Sequence, residues 1–208
     1  MNSRTRRLQV PGAAGALEVL RDDPMDVQPV GTAVLAHPHP LFGGTMDNKV
    51  VQTLARAFVQ AHWTAIRFNF RGVGGSAGVH DEGRGETEDM LGLVREFAAE
   101  GPLALGGFSF GAYVAARALA QLRGQREVAK VVLVGTAASR YEVPAIDADA
   151  HDRTLVVHGE QDDTVPLQAV LDWARPQSLA VTVVPGIGHF FHGQLPLLKS
   201  LVARHLRS

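Results

Sequence analysis

The amino-acid sequence predicts an α/β fold with a mostly parallel, doubly wound sheet that is flanked by helices. Apolar runs of strand length alternate along the chain with longer segments whose apolar residues recur at helical spacing. The runs Val131–Val134 and Leu155–Val157 are apolar at every position, which is typical of central parallel strands that are covered on both faces. A length of 208 residues fits a single domain, 1–208.

The individual elements follow from these patterns in chain order. Residues 5–10 and 16–20 are predicted to form a hairpin around a Pro- and Gly-rich turn, so the sheet begins antiparallel. The later strands are predicted at 32–37, 64–70, 103–108, 128–135, 154–159 and 179–185. The helices are predicted at 48–61, 86–99, 112–122, 167–174 and 190–206. In sheets of this class the chemistry lies beyond the carboxyl ends of the strands, so the loops there hold the first candidates.

The composition excludes several classes of protein. A formal net charge of -1 argues against a protein that works by neutralising nucleic-acid phosphates. The absence of cysteine excludes a disulfide framework, a Cys-ligated metal and a thiolate nucleophile. No stretch approaches ~20 apolar residues, and the N-terminus lacks the apolar run of a signal peptide. We therefore expect a cytoplasmic location with no membrane or nucleic-acid partner, while the oligomeric state leaves no signal in the sequence.

The pattern G-x-S-x-G, which surrounds the nucleophile in many hydrolases, occurs twice, at residues 107–111 and 74–78. A nucleophile elbow needs a strand that runs directly into the turn and a helix that leaves it. Ser109 has the apolar run LALGGF before it and AYVAARALAQL after it, whereas no helical pattern follows Ser76 until residue 86. The sequence therefore predicts Ser109 as the nucleophile and Ser76 as a loop serine.

A serine nucleophile needs a general base and an acid that orients the base. In hydrolases with this elbow the chain order is Ser, then Asp or Glu, then His. Asp162 and His189 fit that order, and each comes just past the end of a predicted strand, at the edge where Ser109 emerges. Asp163 and His192 are the neighbouring alternatives, and their positions favour them less.

The sequences GFSFG, HGEQDD and GIGHFFHG, in this order, resemble the α/β-hydrolase superfamily. The block HPHPLFGGTMDNKVVQTLARAF, followed by RFNFRGVGGSAG and GRGETED, is similar to its small cap-less serine hydrolases and esterases, related to the dienelactone hydrolase and acyl-peptidase-like branch. The resemblance runs from about residue 30 to the C-terminus. It implies an α/β-hydrolase fold without a cap domain and Asp162 as the acid. Dienelactone hydrolases use a cysteine nucleophile, so their substrate is not implied here.

An acyl-transfer site also needs an oxyanion hole, formed by N–H groups that bind the developing negative oxygen. One donor is predicted to be the backbone N–H of Phe110, the residue after the nucleophile. The second should come from the loop after the first central strand, where Pro38 and Pro40 have no N–H. His39 and Leu41 remain as candidates, and the family resemblance favours His39.

The sequence thus predicts a serine hydrolase that cleaves an ester or thioester of a small acyl substrate through an acyl-enzyme, without a cofactor. Two alternatives stay open: a metal-dependent hydrolase that uses His37 and His39, and a non-catalytic binding protein with the same fold. We expect His37 to order its loop, so no metal site is predicted. Arg71 is expected to pair with a carboxylate inside the protein. No substrate-binding residue can be identified.

Access to the site depends on two segments. Residues 136–153 are too few for a helical cap domain and are expected to form one wall of a pocket. The loop from Gly72 to Gly85 contains six glycines and is expected to be mobile, and whether it acts as a lid is open. We therefore expect an open site with a shallow acyl pocket.

Overall fold

The computed structural model describes residues 5–207, and eight strands in that range form one sheet. The strands are Arg6–Gly12 (β1), Gly15–Asp22 (β2), Thr32–Ala36 (β3), Thr64–Phe68 (β4), Leu103–Phe108 (β5), Lys130–Val134 (β6), Thr154–Gly159 (β7) and Val181–Val184 (β8). Their order is β1-β2-β4-β3-β5-β6-β7-β8. Strands β1 and β2 are antiparallel to each other, and β2 is antiparallel to β4. The strands from β3 to β8 run parallel to one another. The predicted sheet is confirmed.

Helices cover both faces of this sheet. They are Lys49–Gln60 (α1), Arg84–Phe97 (α2), Phe110–Leu122 (α3), Leu167–Ala174 (α4) and Leu195–His205 (α5). Helices α1 and α5 pack with one set of inward strand residues, and α2, α3 and α4 pack with the other set. The apolar positions of each helix thus bury against the sheet, as a doubly wound fold requires. Within residues 5–207 no helix is long and apolar enough to cross a lipid bilayer.

The main difference from the predicted elements lies in the last helix. The sequence predicts a helix over 190–206, but α5 begins at Leu195 and residues 190–194 form turns. Phe191 has φ 52° and Gly193 has φ 76°, a left-handed backbone that cannot continue a right-handed helix. Short 3-10 helices at Pro40–Phe42, Ala148–Arg153 and Arg175–Gln177 fall in segments predicted as loops.

The parallel register brings the carboxyl ends of the central strands to one edge of the sheet. Ala36 of β3 lies opposite Gly107 of β5, and Phe108 lies opposite Val134 of β6. The loops that follow these strands therefore meet at this edge. The connection from β6 to β7 contains one short 3-10 helix and no cap domain, as predicted.

The loop from Gly72 to Gly85 is fixed by side chains rather than free. The hydroxyl of Ser76 donates to the carbonyl of Asn69 (2.7 Å) and accepts from the N–H of Glu18 (2.9 Å). The carboxylate of Glu18 in turn accepts from the N–H of Gly75 (2.9 Å). These bonds tie residues 75 and 76 of the loop to β2 and to the segment after β4.

Candidate active site

Ser109 occupies the sharp turn between β5 and α3. Its backbone has φ 58° and ψ -117°, a conformation that costs free energy in a residue with a side chain. The N–H of Ser109 donates to the carbonyl of Val134 (2.8 Å), which holds the turn against β6. A Cβ at Gly107 would collide with the backbone of Gly111, and a Cβ at Gly111 with the carbonyl of Ala36. Both glycines of the pattern are therefore required by close packing.

The structure brings the three predicted site residues into one hydrogen-bonded chain. Nε2 of His189 lies 3.0 Å from Oγ of Ser109, and Nδ1 of His189 lies 2.7 Å from Oδ2 of Asp162. All three residues are buried. Because Nδ1–H donates to the carboxylate, Nε2 carries the lone pair and faces the serine hydroxyl. This is the arrangement in which an imidazole can accept the hydroxyl proton.

The carboxylate of Asp162 is held in its charged form. Its Oδ1 accepts from the backbone N–H groups of Thr164 (3.0 Å) and Val165 (2.7 Å), in the loop after β7. Burial raises the pKa of Asp162, but the hydrogen bonds from His189 and Val165 outweigh burial and hold the pKa below its usual range. An ionised Asp162 can therefore orient the ring of His189 and stabilise its cation.

His158, on β7, packs against the same carboxylate. Its Nε2–H donates to the carbonyl of Val165 (2.9 Å), and Nε2 lies 3.4 Å from Oδ2 of Asp162. Burial lowers the pKa of His158, so the ring is neutral at neutral pH. The sequence patterns did not identify this residue. Its proximity arises because it lies four residues before Asp162, on the strand that ends beneath the acid.

The two neighbouring alternatives do not join this chain. The side chains of Asp163 and His192 are both exposed to solvent. The ring of His192 lies 5.9 Å from that of Phe190, on the outside of the turn that carries His189. Asp162 and His189 are hydrogen-bonded to each other, whereas no hydrogen bond joins Asp163 or His192 to Ser109 within the described residues.

Two backbone N–H groups are the candidates for binding an oxyanion. Those of Phe110 and His39 make no hydrogen bond within the described part of the chain, and the two rings lie 5.0 Å apart. The N–H of Leu41, the alternative donor, is occupied because it donates to Nδ1 of His39 (3.2 Å). The free N–H of Phe110 also belongs to the first turn of α3, where the helix dipole favours negative charge.

These groups line one cavity of about 320 Å³, which we call the active-site cavity. Its lining residues are Pro38, His39, Phe42, Gly43, Gly44, Asn48, Ser109, Phe110, Ala137, Arg140, Tyr141, Thr164, Val165, His189 and Phe190. The volume is at the lower end of the range for small-molecule sites. No residue of the loop 72–85 lines it, so that loop does not cover the site. A second hollow, of about 410 Å³, lies beyond the end of α3 and holds none of these groups.

Known proteins share this architecture. A family model described as the alpha/beta hydrolase fold matches residues 39–153, more than half of the chain. The chain belongs to the α/β-hydrolase family. This α/β-hydrolase is similar to a serine hydrolase without a lid from Xanthomonas campestris (35% identity over 100% of this chain and 95% of that one, TM-score 0.87). It is also similar to an α/β serine hydrolase homologue from Coxiella burnetii (36% identity, 97% of each chain, TM-score 0.80).

A curated relative of the α/β-hydrolase covers a smaller region. An uncharacterized protein of Rickettsia prowazekii is 44% identical over 87 residues, which is 40% of this chain. The α/β-hydrolase spans about 37% of the length of that relative. The two solved structures, in contrast, cover nearly all of the chain, and the family model covers residues 39–153.

The α/β-hydrolase uses His37 to order the loop after β3. Its Nε2 accepts from the N–H of Phe70 (2.9 Å) and its Nδ1–H donates to the carbonyl of Pro38 (2.6 Å), so both nitrogens are engaged. Burial lowers the pKa of His37 to about 4. Both nitrogens of His39 are also bonded, to Leu41 and Tyr141. Both rings are thus engaged in hydrogen bonds that order the loop after β3. Among the described residues no group of three His, Asp or Glu fits a metal ion.

Arg71 forms the internal ion pair that was expected. Its Nε and Nη2 donate to the two carboxylate oxygens of Asp89, at 2.8 and 2.9 Å. Glu86, at the start of α2, accepts from the N–H groups of Asp81 and Gly83 and from Nδ1 of His80. This part of the sequence shapes the loop before α2 and does not contribute to the active-site cavity.

Several lining residues could not be identified from the sequence. Phe190 is 45% exposed and Phe42 is 73% exposed, and both stand at the rim of the active-site cavity. Arg140 and Asn48 supply polar groups from the segment after β6 and from the start of α1. Their positions in the sequence were the one signal that could have indicated them. Phe190 directly follows His189, and Arg140 lies in the segment 136–153, which is predicted to form a pocket wall.

Proposed function

We propose that this α/β-hydrolase cleaves an ester or thioester of a small acyl substrate, with Ser109 as nucleophile, through an acyl-enzyme. The observation that carries the proposal is the buried hydrogen-bonded chain from Ser109 through His189 to Asp162, at 3.0 and 2.7 Å. A serine hydroxyl next to an imidazole that an ionised carboxylate orients is an activated nucleophile.

In the acylation half, Oγ of Ser109 attacks the carbonyl carbon while Nε2 of His189 takes the hydroxyl proton. Asp162 stabilises the resulting imidazolium through the bond at Nδ1. The N–H groups of Phe110 and His39 bind the oxyanion, and one such donor contributes about 3–4 kcal/mol to transition-state stabilisation. When the tetrahedral intermediate collapses, His189 gives its proton to the departing alcohol or thiol, and the acyl group remains on Ser109.

In the deacylation half, water replaces the leaving group. His189 takes a proton from water, and the hydroxide oxygen attacks the acyl carbonyl. The same two N–H groups bind the second oxyanion. Collapse releases the free acid, and the proton returns from Nε2 to Oγ of Ser109. Neither half-reaction requires a cofactor.

Ser76 provides a matched control for testing the nucleophile. A fluorophosphonate probe, which forms a bond with activated serines, should label Ser109, and mass spectrometry of the labelled peptide locates the modification. Ser109→Ala should abolish both labelling and hydrolysis of 4-nitrophenyl acetate, whereas Ser76→Ala should keep both. A wild-type protein that is neither labelled nor active toward acetyl esters and thioesters would support the non-catalytic alternative instead.

A further inference from the structure

We propose that the substrate carries a carboxylate in addition to its scissile acyl group, and that Arg140 binds this carboxylate. The proposal rests on the proposed function, because it names the substrate class of the same site. Among the described residues that line the active-site cavity, Arg140 alone carries a permanent charge, and no Asp or Glu is present. A cavity with one cation and no carboxylate favours an anionic ligand.

Arg140 is held in place by the turn that follows β6. The N–H groups of Arg140 and Tyr141 both donate to the carbonyl of Ala137 (3.1 Å each), and Ala137 is itself buried. The guanidinium carbon lies 5.6 Å from the ring centroid of Phe42, a cation–π contact across the rim of the active-site cavity. Arg140 is exposed at the rim, where the backbone turn fixes the position of its Cα and the ring of Phe42 contacts its guanidinium.

The charge of Arg140 has no counter-ion in the described chain. Within residues 5–207 no carboxylate lies within 4 Å of its guanidinium, although Arg67 and Arg71 each pair with a buried aspartate. Burial, followed by the charges of His80 and Arg140, lowers the pKa of His39, while the carboxylate of Glu86 acts in the opposite direction. The field of Arg140 therefore reaches the loop that carries the proposed oxyanion donor.

Two further donors line the same cavity. Oδ1 of Asn48 accepts from the N–H of Val50 (2.9 Å), and its amide NH₂ has no partner in the described chain. The hydroxyl oxygen of Tyr141 accepts from Nε2–H of His39 (2.9 Å), so its own hydrogen is available. A guanidinium, an amide and a hydroxyl, all donors, suit the several lone pairs of a carboxylate.

The chemical class that fits is a monoester or monothioester of a dicarboxylic acid, or an acyl ester of a hydroxy acid. In the first case the carboxylate stays with the acyl-enzyme, and in the second it leaves with the alcohol. Both substrate classes present one negative charge a few bonds from the scissile carbonyl. Because the carboxylate lies on the acyl side in one class and on the alcohol side in the other, an experiment with one arm for each side distinguishes them.

The experiment compares each acid with its neutral amide, which has nearly the same size. In the acyl arm, kcat/KM is measured for monoethyl glutarate and for ethyl 4-carbamoylbutanoate. In the alcohol arm, it is measured for acetoxyacetate and acetoxyacetamide. We expect wild type to prefer the carboxylate by about tenfold or more in one arm, and Arg140→Gln to bring that ratio close to 1. Arg140→Lys should retain part of the ratio, because charge remains but the planar fork is lost.

Arg123→Gln is the matched control, since Arg123 is exposed and pairs with Asp147 away from the active-site cavity. It should leave the ratio unchanged. Ratios near 1 in both arms of wild type, or a ratio that survives Arg140→Gln, would overturn the proposal. Failure of the proposed function gives a different pattern, because all four esters then remain intact. In that case glutarate binding, measured by calorimetry, decides: loss of binding in Arg140→Gln supports the carboxylate site, and absence of binding in wild type refutes it.

Discussion

Gly135, the residue after β6, lies directly beside the ring of His189. A Cβ at Gly135 would stand 3.2 Å from Cε1 and 3.3 Å from Nδ1 of that ring, and its φ is 55°. This contact fixes how closely the turn after β6 approaches the proposed general base. A Cβ there would also stand 3.2 Å from Cε2 of Phe108, so the imidazole, the Phe108 ring or the turn must shift by a few tenths of an ångström.

Gly135→Ala should therefore slow the chemistry more than it disturbs folding. We expect the rate of fluorophosphonate labelling to fall about tenfold or more, which corresponds to about 1.4 kcal/mol of activation free energy. Gly124→Ala is the control, because Gly124 has a similar φ of 70° but no atom within 4 Å of the position that its Cβ would take. Equal labelling rates in the two variants would show that the contact with His189 does not matter.

The acid and the base can each be tested against a neighbour. Asp162→Asn should lower kcat by about 10³-fold or more, because the amide favours the wrong tautomer of His189. Asp163→Asn should change kcat less than about twofold, since that side chain is exposed.

The base can be tested in the same way. His189→Ala should remove most of the activity, whereas His192→Ala should remove little. Steady-state kinetics on acetyl esters measures all four, and a larger loss in Asp163→Asn than in Asp162→Asn would contradict the assignment.

Ser76 should matter for stability and not for catalysis. Its buried hydroxyl bonds the carbonyl of Asn69 and the N–H of Glu18, and Ser76→Ala leaves both groups without that partner. We expect the free energy of unfolding to fall by about 1–3 kcal/mol in urea titrations. Ser139→Ala, at an exposed serine, should change it by less than about 0.5 kcal/mol. Loss of labelling at Ser109 in a folded Ser76→Ala protein would disprove a purely structural role.

His37 should make the fold sensitive to acid. Its pKa is about 4 in the folded protein and 6.5 in the unfolded chain, so between these values the unfolded state binds one more proton. The contribution of the His37 titration to the free energy of unfolding is therefore fully present above pH 6.5. It is lost as the pH falls toward 4, which lowers the free energy of unfolding by about 3 kcal/mol in total.

Urea titrations from about pH 7 to about pH 4.5 measure this dependence. His37→Gln should reduce the slope of the unfolding free energy with pH, while His192→Gln, at an exposed histidine, should leave the slope as in wild type. An NMR titration of the wild-type ring gives the pKa directly, even if His37→Gln fails to fold. A value near 6.5 would rule out the buried neutral ring.

Local signals made most of the fold and the proposed triad predictable. Strand β5 and the glycines around Ser109 are adjacent in sequence, so the pattern alone indicates the turn. The start of α5 was not predictable, because Phe191 is buried among residues of α1 and α5 and adopts φ 52° to reach them. The anchoring of Ser76 depends on Glu18, which is 58 residues away. The placement of Arg140 over Phe42 likewise arises from tertiary packing, for which the sequence carries no pattern.

The active-site cavity limits the length of acyl chain that the protein can bury. The active-site cavity has a volume of about 320 Å³, and its wall toward residues 136–153 is formed by a turn and not by a cap domain. The rim side chains Phe42 and Phe190 are 73% and 45% exposed, so no described element covers them. A short acyl group can bury all of its methylenes there, at about 0.8 kcal/mol each, whereas the distal carbons of a long chain remain in water.

The specificity constant should therefore rise from acetyl to about butanoyl esters and then level off or fall. A series of 4-nitrophenyl esters from acetyl to palmitoyl, each below its critical micelle concentration, measures this dependence. The same series on Phe190→Ala is a useful comparison, because removing a rim ring should weaken butanoyl turnover and leave acetyl turnover less affected. A specificity constant that climbs steadily to palmitoyl would require a deep apolar channel, which the geometry of the cavity does not provide.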